Sequence, residues 1–307
     1  MDRDYYEDIV DEVEQLAGNN RFSNIYRFVF SIIIYFVTYN IMYILGGMFM
    51  AAVAAWIGFE PEYKFMGVYN LPTRTQDWHR WLVLAVYSAF PIFGIISGLV
   101  IYWLSYLMWQ FNTIIKVFLL WMAVHGLTFF GSYAIASVLG TNDFDSPFYY
   151  GFSAAASWFH LDEPFMVPLT LIGILFMTGC GLFFIRGFLN LAYSRKVAIN
   201  YNTRRKFLLQ VITGPWIVGG ILCIFTIWVL RPDTYDFNRI KVLMPHLVHH
   251  ASILFLVVGT IFRLDYIVGG IEVHSFDVFK GRIWIGVMCM VAIAGIIYVL
   301  QRFSLHF

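Results

Sequence analysis

Seven long apolar stretches constrain this chain more than any other feature of its sequence. A helix needs about 20 apolar residues to cross a bilayer core of about 30 Å, and only 13% of the residues are charged, against about 25% in a soluble domain. The sequence therefore predicts an all-α, polytopic integral membrane helix bundle with about six or seven transmembrane helices in a lipid bilayer. The stretches are residues 25–58, 82–109, 112–139, 165–194, 206–230, 246–263 and 282–302.

The first twenty residues differ from the rest and suggest a division into residues 1–20 and a single transmembrane domain, 21–307. Apolar residues recur at helical spacing in 1–20, and acidic residues fill the remaining faces, which predicts an amphipathic acidic helix. This helix is either a solvated tail or a docking site for a cytoplasmic protein. Because the start is acidic, we predict no cleavable signal peptide. The net charge is +1 and there is no basic run, so nucleic acid is not an expected partner.

The connections between the stretches predict the orientation. Cations concentrate after the fourth stretch, in 195–206, whereas 140–163 contains acids and no lysine or arginine. Cytoplasmic loops carry the excess of cations, so we expect the N-terminus inside and 140–163, 59–81 and the C-terminus outside. Residues 151–160 are too short to span and are expected to be re-entrant or interfacial. An aromatic content of 20% and the lack of lysine in 140–163 are typical of a bacterial inner-membrane protein.

Three histidines at the start of the sixth stretch are the candidate site. His246, His249 and His250 fall within about one third of a helix circumference. Such a set can bind a metal, and His160, Asp162 and Glu163 are candidate additional ligands from the same predicted side. A haem would need two facing histidines at matching depth, and His125 with His249 or His250 is the available pair.

The sequence favours a structural role for these histidines, with no cofactor. Pro245 is typical of a helix start at the water boundary, which predicts that the three histidines occupy the first turns, within reach of water. Hydrogen bonds to Asp162 or Glu163 are the expected polar contacts. Membrane hydroxylases with a His-x-x-His-His element also have further histidine-rich segments, which this chain lacks.

One region resembles the site-two protease family of membrane zinc proteases. A long helix ("YNIMYILGGMFMAAVAAWIGF", 39–59) is followed by a short polar, strand-like loop (60–80) and a helix containing Ser88-Ala89-Phe90-Pro91. This order is similar to that of the family core, in which a His-Glu-x-x-His helix precedes a hairpin and a helix with a small-Gly-Pro motif. The third stretch takes the place of the family helix that carries the third zinc ligand.

The resemblance implies a degenerate, non-catalytic member. At the position of His-Glu-x-x-His the chain has Tyr39, Asn40 and Tyr43, which supply neither the two imidazoles nor the general base. His125 stands on the third helix, where the family has an aspartate. We therefore expect no proteolysis.

Three functions are compatible with these patterns. The favoured one is a non-enzymatic membrane subunit or scaffold, a pseudoprotease-like component of a membrane protein complex. The second is a metal- or haem-dependent membrane enzyme that uses His246, His249 and His250. The third is a transporter, with which the helix breaks at Pro91, Pro168 and Gly214-Pro215 are compatible.

Overall fold

A computed structural model describes most of the transmembrane domain. It describes residues 21–307 apart from 66, 70, 72–78, 108–112, 141–145, 162, 193–196, 198–199, 231–238 and 263–282. The predicted acidic helix at 1–20, Asp162 and part of the cation-rich connection lie outside the described residues.

Long helices dominate the architecture, as the sequence predicts. Seven of the helical segments within the described residues are long and apolar enough to cross a membrane. The helices are α1 Arg21–Trp56, α2 Arg80–Leu107, α3 Thr113–Gly140, α4 Phe152–Trp158, α5 Glu163–Leu189, α6 Tyr201–Leu208, α7 Gly214–Leu230, α8 Arg239–Phe262 and α9 Ile283–Arg302. A π-helical turn, Leu209–Thr213, joins α6 to α7, and the three form one span, Tyr201–Val229. The predicted polytopic helix bundle is confirmed.

The polar loop after α1 forms a small sheet, which confirms the predicted strand-like segment. Strand β1 (Glu62–Lys64) pairs antiparallel with β2 (Gly67–Tyr69) in a hairpin. The C-terminal strand β3 (Leu305–His306) pairs with the other edge of β1. The hairpin and the C-terminus therefore lie on the same side of the bundle, which agrees with the predicted alternation. Which side faces the cytoplasm stays a prediction.

Helices α2 and α3 touch through glycine backbones. A methyl group added at Gly126 would lie 2.8 Å from Gly98 Cα and 2.9 Å from Gly94 O. Such spacing excludes any side chain, so glycine at 94, 98 and 126 permits an approach closer than ordinary helix packing, as in other membrane bundles. The Gly94-x-x-x-Gly98 pattern therefore packs two helices of the same chain against each other.

Two segments depart from regular spanning helices. Helix α4 is short and packs against α2 and α3, which confirms that residues 151–160 do not span. Helix α8 starts at Arg239 and carries Pro245 inside it. The expectation that Pro245 starts the helix is wrong, because α8 begins more than one turn earlier and places the following histidines deeper in the bundle.

Candidate functional site

Seven polar aromatic side chains meet in the interior of the bundle. We call them the histidine–tyrosine cluster: Tyr35, Tyr39, Tyr43, His125, His246, His249 and His250. None of the seven exposes more than 8% of its surface. Ionisable side chains inside a membrane are costly and usually mark a functional site. The cluster is therefore the candidate site of this protein.

Helical spacing builds the cluster from three helices. Tyr35, Tyr39 and Tyr43 are four residues apart on α1 and so share one face. The spacing His-x-x-His-His places three histidines on one face of α8. His125 projects from the middle of α3. The Tyr39 ring lies at the centre of the cluster. Its centroid is 5.4, 6.0, 4.9 and 4.6 Å from the ring centroids of His125, His246, His249 and His250, respectively.

Hydrogen bonds divide the cluster into three pairs. Tyr35 Oη lies 2.7 Å from His250 Nδ1, and Tyr39 Oη is hydrogen-bonded to His246 Nδ1. His125 Nδ1 lies 3.1 Å from His249 Nε2. Each pair links α8 to another helix, so one ring nitrogen of each α8 histidine is hydrogen-bonded to α1 or α3.

Each imidazole keeps one ring nitrogen without a hydrogen-bond partner in the described part of the chain. These atoms are His125 Nε2, His246 Nε2, His249 Nδ1 and His250 Nε2. Buried polar atoms are nearly always hydrogen-bonded in native proteins. Four such atoms in one cluster therefore indicate a place where protons, water or a ligand interact.

The hairpin covers one end of the cluster. The Phe65 ring, just after β1, is stacked on His246 at a centroid distance of 6.3 Å and an angle of 11°. Tyr63 is fully buried and lies against Gly47, where an added methyl group would overlap the Tyr63 ring. Burial raises the pKa of the Tyr63 hydroxyl well above its usual value, so this phenol stays uncharged even in alkaline solution.

Helix α7 borders the cluster from another side. Its Gly219 and Gly220 lie against Tyr35 and His250, and Trp216 Nε1 donates to the His250 carbonyl oxygen at 2.6 Å. One turn further, Cys223 is fully buried, with Sγ 3.9 Å from Asn40 Nδ2. The π-helical turn comes just before this contact region, and such turns are frequent at functional sites.

The histidines of α8 are not boundary residues, and that expectation is wrong. His246 and His249 are completely buried. Helix α8 begins at Arg239, so both residues lie inside the helix and not in its first turn. Their partners are Tyr39 and His125. Asp162 and the side chain of Glu163 lie outside the described parts of the structure.

The metal interpretation gains no support from this arrangement. Within the described residues, no group of three or more His, Cys, Asp or Glu side chains could hold a metal ion. The candidate ligand His160 is exposed, beyond the end of α4. The expected haem pair His125 and His249 does meet, but its nitrogens, 3.1 Å apart, leave no space for a porphyrin iron between them. A metal at His246, His249 and His250 stays a prediction.

The positions assigned by the site-two protease resemblance mostly converge. Tyr39, Tyr43 and His125 are all in the cluster, and the Tyr39 and Tyr43 rings are 6.1 Å apart. Asn40 is not part of the cluster, because its Nδ2 donates to the Phe36 carbonyl oxygen at 2.8 Å and lies 3.9 Å from Cys223 Sγ. Zinc, which the resemblance would imply, does not fit Tyr39, Asn40 and Tyr43, since neither a phenol pair nor an amide replaces the two imidazoles and the base.

No protein-family model, curated protein or solved structure matches this chain. The resemblance to site-two proteases therefore stays a prediction.

Sequence reasoning missed Tyr35, Phe65 and Cys223. For Tyr35 a signal exists, since it precedes Tyr39 by one helical turn on the same face. Phe65 and Cys223 depend on tertiary packing, and no pattern in the sequence marks them.

Proposed function

We propose that this chain is a membrane transporter that conducts protons through the histidine–tyrosine cluster. The observation that carries the proposal is the set of four buried imidazoles, each with one ring nitrogen that has no hydrogen-bond partner among the described residues. A neutral imidazole accepts a proton on one nitrogen and releases one from the other, which is why histidine serves as a proton shuttle. Histidine chains of this kind mark proton relays in pumps and transporters.

The pairing within the cluster supports the same role. His125 and His249 contact each other directly, and His246 and His250 each contact a phenol. Phenols and imidazoles both donate and accept hydrogen bonds, so the three pairs can reorient when a proton moves. The pairs share α8, which brings the groups of α1 and α3 into one array.

A proton-flux measurement tests the proposal. Purified protein in potassium-loaded liposomes receives an inside-negative potential through valinomycin, and an internal pH-sensitive dye reports acidification. We expect acidification to be faster than in protein-free liposomes. The triple variant His246→Gln, His249→Gln, His250→Gln should lower the protein-dependent rate at least tenfold, because glutamine does not exchange protons at these pH values.

The matched control is His160→Asn, which changes an exposed histidine outside the cluster and should keep the wild-type rate. A wild-type rate equal to that of empty liposomes, or an unchanged rate in the triple variant, would refute proton conduction.

A second candidate is the non-enzymatic subunit of a membrane protein complex with a degenerate site-two-protease-like core. Its support is the order of α1, hairpin and α2, with Tyr39 and Tyr43 on the face that points toward His125. In this case an inner-membrane partner, or a cytoplasmic protein on residues 1–20, should co-purify after mild detergent extraction. Co-purification in equal amounts, with no proton flux, would favour this candidate.

A further inference from the structure

We propose that a row of bound water molecules runs through the bundle past the histidine–tyrosine cluster, from Ser31 and Trp121 at one end to Tyr63 and Tyr150 at the other. The inference rests on the proposed function, because this water carries protons to and from the histidines. It gives that site a route and four further residues, all of which lie outside the cluster.

The first end of the route lies one helical turn before two members of the cluster. Ser31 precedes Tyr35 by four residues on α1, so the two lie on the same side of the helix. Trp121 stands in the same relation to His125 on α3. The centroid of the Trp121 ring system is 4.8 Å from that of Tyr35 and 5.7 Å from that of His125.

Both polar atoms at this end need a partner. Ser31 and Trp121 are completely buried, and neither Ser31 Oγ nor Trp121 Nε1 has a hydrogen-bond partner among the described residues. A serine inside a helix commonly bonds to a carbonyl three or four residues earlier, as Ser105 does with Tyr102. Buried polar atoms that the protein does not satisfy are typical positions for an internal water.

The second end lies around Tyr43. Its ring centroid is 4.4 Å from that of His246, one of the four histidines with a partnerless nitrogen. Two further buried hydroxyl oxygens, Tyr63 Oη and Tyr150 Oη, also have no hydrogen-bond partner in the part of the chain that the structure describes. Burial and, to a smaller extent, the nearby Tyr43 raise the pKa of both hydroxyls. Each therefore stays protonated and can donate to water.

Ring contacts connect Tyr150 to Tyr43. The Tyr150 centroid is 5.0 Å from that of Tyr133, which is stacked on Phe90 at 5.5 Å. Phe90 is in turn 5.5 Å from Tyr43. The segment before α4 thus brings a hydroxyl to the same end of the cluster as the hairpin.

Helix α1 joins the two ends. Ser31, Tyr35, Tyr39 and Tyr43 recur every fourth residue, and none exposes more than 8% of its surface. From Ser31 to Tyr43 the helix rises about 18 Å, more than half of a bilayer core of about 30 Å. The four imidazoles lie against the middle of this stretch, around Tyr39. Waters that each bind two to four polar atoms connect its ends.

Radiolytic footprinting tests for the water independently of transport. An X-ray pulse on the wild-type protein in nanodiscs splits water into hydroxyl radicals, which oxidise the side chains beside it, and mass spectrometry gives the rate for each residue. We expect Trp121 and Tyr63, one at each end, to be oxidised at least fivefold faster than Met177. All three are completely buried, and methionine is readily oxidised. Rates for Trp121 and Tyr63 no higher than that of Met177 overturn the proposal.

The liposome flux assay tests whether protons use this water. Ser31→Ala and Tyr150→Phe each remove one hydroxyl from an end of the route and should lower the protein-dependent acidification rate at least threefold. The matched controls are Ser105→Ala and Tyr102→Phe. Ser105 Oγ donates to the Tyr102 carbonyl oxygen at 2.6 Å, and the Tyr102 ring packs on Phe183 and Phe184, so both should keep the wild-type rate.

The two proposals fail separately. A wild-type rate in both Ser31→Ala and Tyr150→Phe, when the wild-type protein conducts, overturns the route and leaves conduction through the cluster in place. Fast oxidation of Trp121 and Tyr63 without any wild-type flux supports the water and refutes conduction. Footprinting uses the unaltered chain, so its result stands even if a variant does not fold.

Discussion

Two neighbouring residues of α3 face two different kinds of helix interface. Gly126 lies against the backbone of α2 at Gly94 and Gly98, whereas His125 is hydrogen-bonded to His249 of α8. The first interface depends on close packing, because no side chain fits at its three glycine positions. The second depends on polar pairs, which cost free energy to bury and leave one nitrogen of each ring without a partner in the part of the chain that the structure describes.

The α2–α3 interface contributes stability to the bundle, whereas the α3–α8 interface contains the candidate site. Lipid tails are as apolar as leucine, so close packing through small residues is an effective way to hold membrane helices together. The α2–α3 interface provides such packing at Gly94, Gly98 and Gly126. The buried polar array beside that interface is a candidate site, in line with the general rule for ionisable groups in membranes.

The largest effect should come from filling the glycine interface. We expect Gly126→Ala to lower the free energy of unfolding by about 3 kcal/mol, since the new methyl group meets backbone atoms that cannot move without separating the helices. Thermal unfolding of detergent-purified protein measures this. Gly295→Ala is the control, because nothing lies within 4 Å of a methyl group there; equal effects at the two positions would contradict the packing account.

A double-mutant cycle at His125 and His249 should give the next largest effects. Each change to leucine leaves a buried nitrogen of the other ring without its partner, at a cost of about 1–3 kcal/mol. The double variant should cost less than the sum of the two, because both polar groups are then gone. Strict additivity in unfolding measurements would mean that the 3.1 Å contact carries no coupling.

Loss of one phenol hydroxyl should have a smaller effect. Tyr39→Phe keeps the ring and removes the hydrogen bond to His246 Nδ1, so we expect a loss of about 1 kcal/mol together with slower proton flux. The control is Tyr298→Phe, at an exposed position on α9. A folded Tyr39→Phe protein with the full wild-type flux would show that this hydroxyl takes no part in the relay.

The smallest effect belongs to the exposed histidine. His160 has φ 54°, a conformation that asparagine tolerates well, so His160→Asn should change stability by less than about 0.5 kcal/mol. A change comparable to that of the His249 variant would indicate that His160 joins the cluster in the membrane.

The sequence predicts the fold well because hydrophobic length is a strong signal in a membrane protein. The seven spans follow from it. The strand-like loop at 60–80 was predicted from its own polar sequence, and the hairpin was implied by the site-two protease resemblance. The predicted start of α8 at Pro245 was wrong, because proline most often occupies the first turn of a helix. Here the helix continues on its N-terminal side, and no local signal distinguishes the two cases.

The candidate site was only partly predictable. Residue type and helical spacing identify the histidines of α8, and the resemblance singled out Tyr39, Tyr43 and His125. These two sets form one cluster because α8 packs against α1 and α3. The helical periodicity of a single segment does not predict which helices pack together. For the same reason, the contact between the Phe65 ring and His246 could not be predicted from the sequence.

The pairing of β1 with β3 has a consequence for biosynthesis. Strand β1 leaves the ribosome early, and its partner at Leu305–His306 only after all the described membrane helices have been made. Contacts between distant parts of a chain form late, because the intervening chain must be ordered first. The nascent protein therefore passes through a stage in which every spanning helix can already be inserted while the small sheet still lacks its third strand.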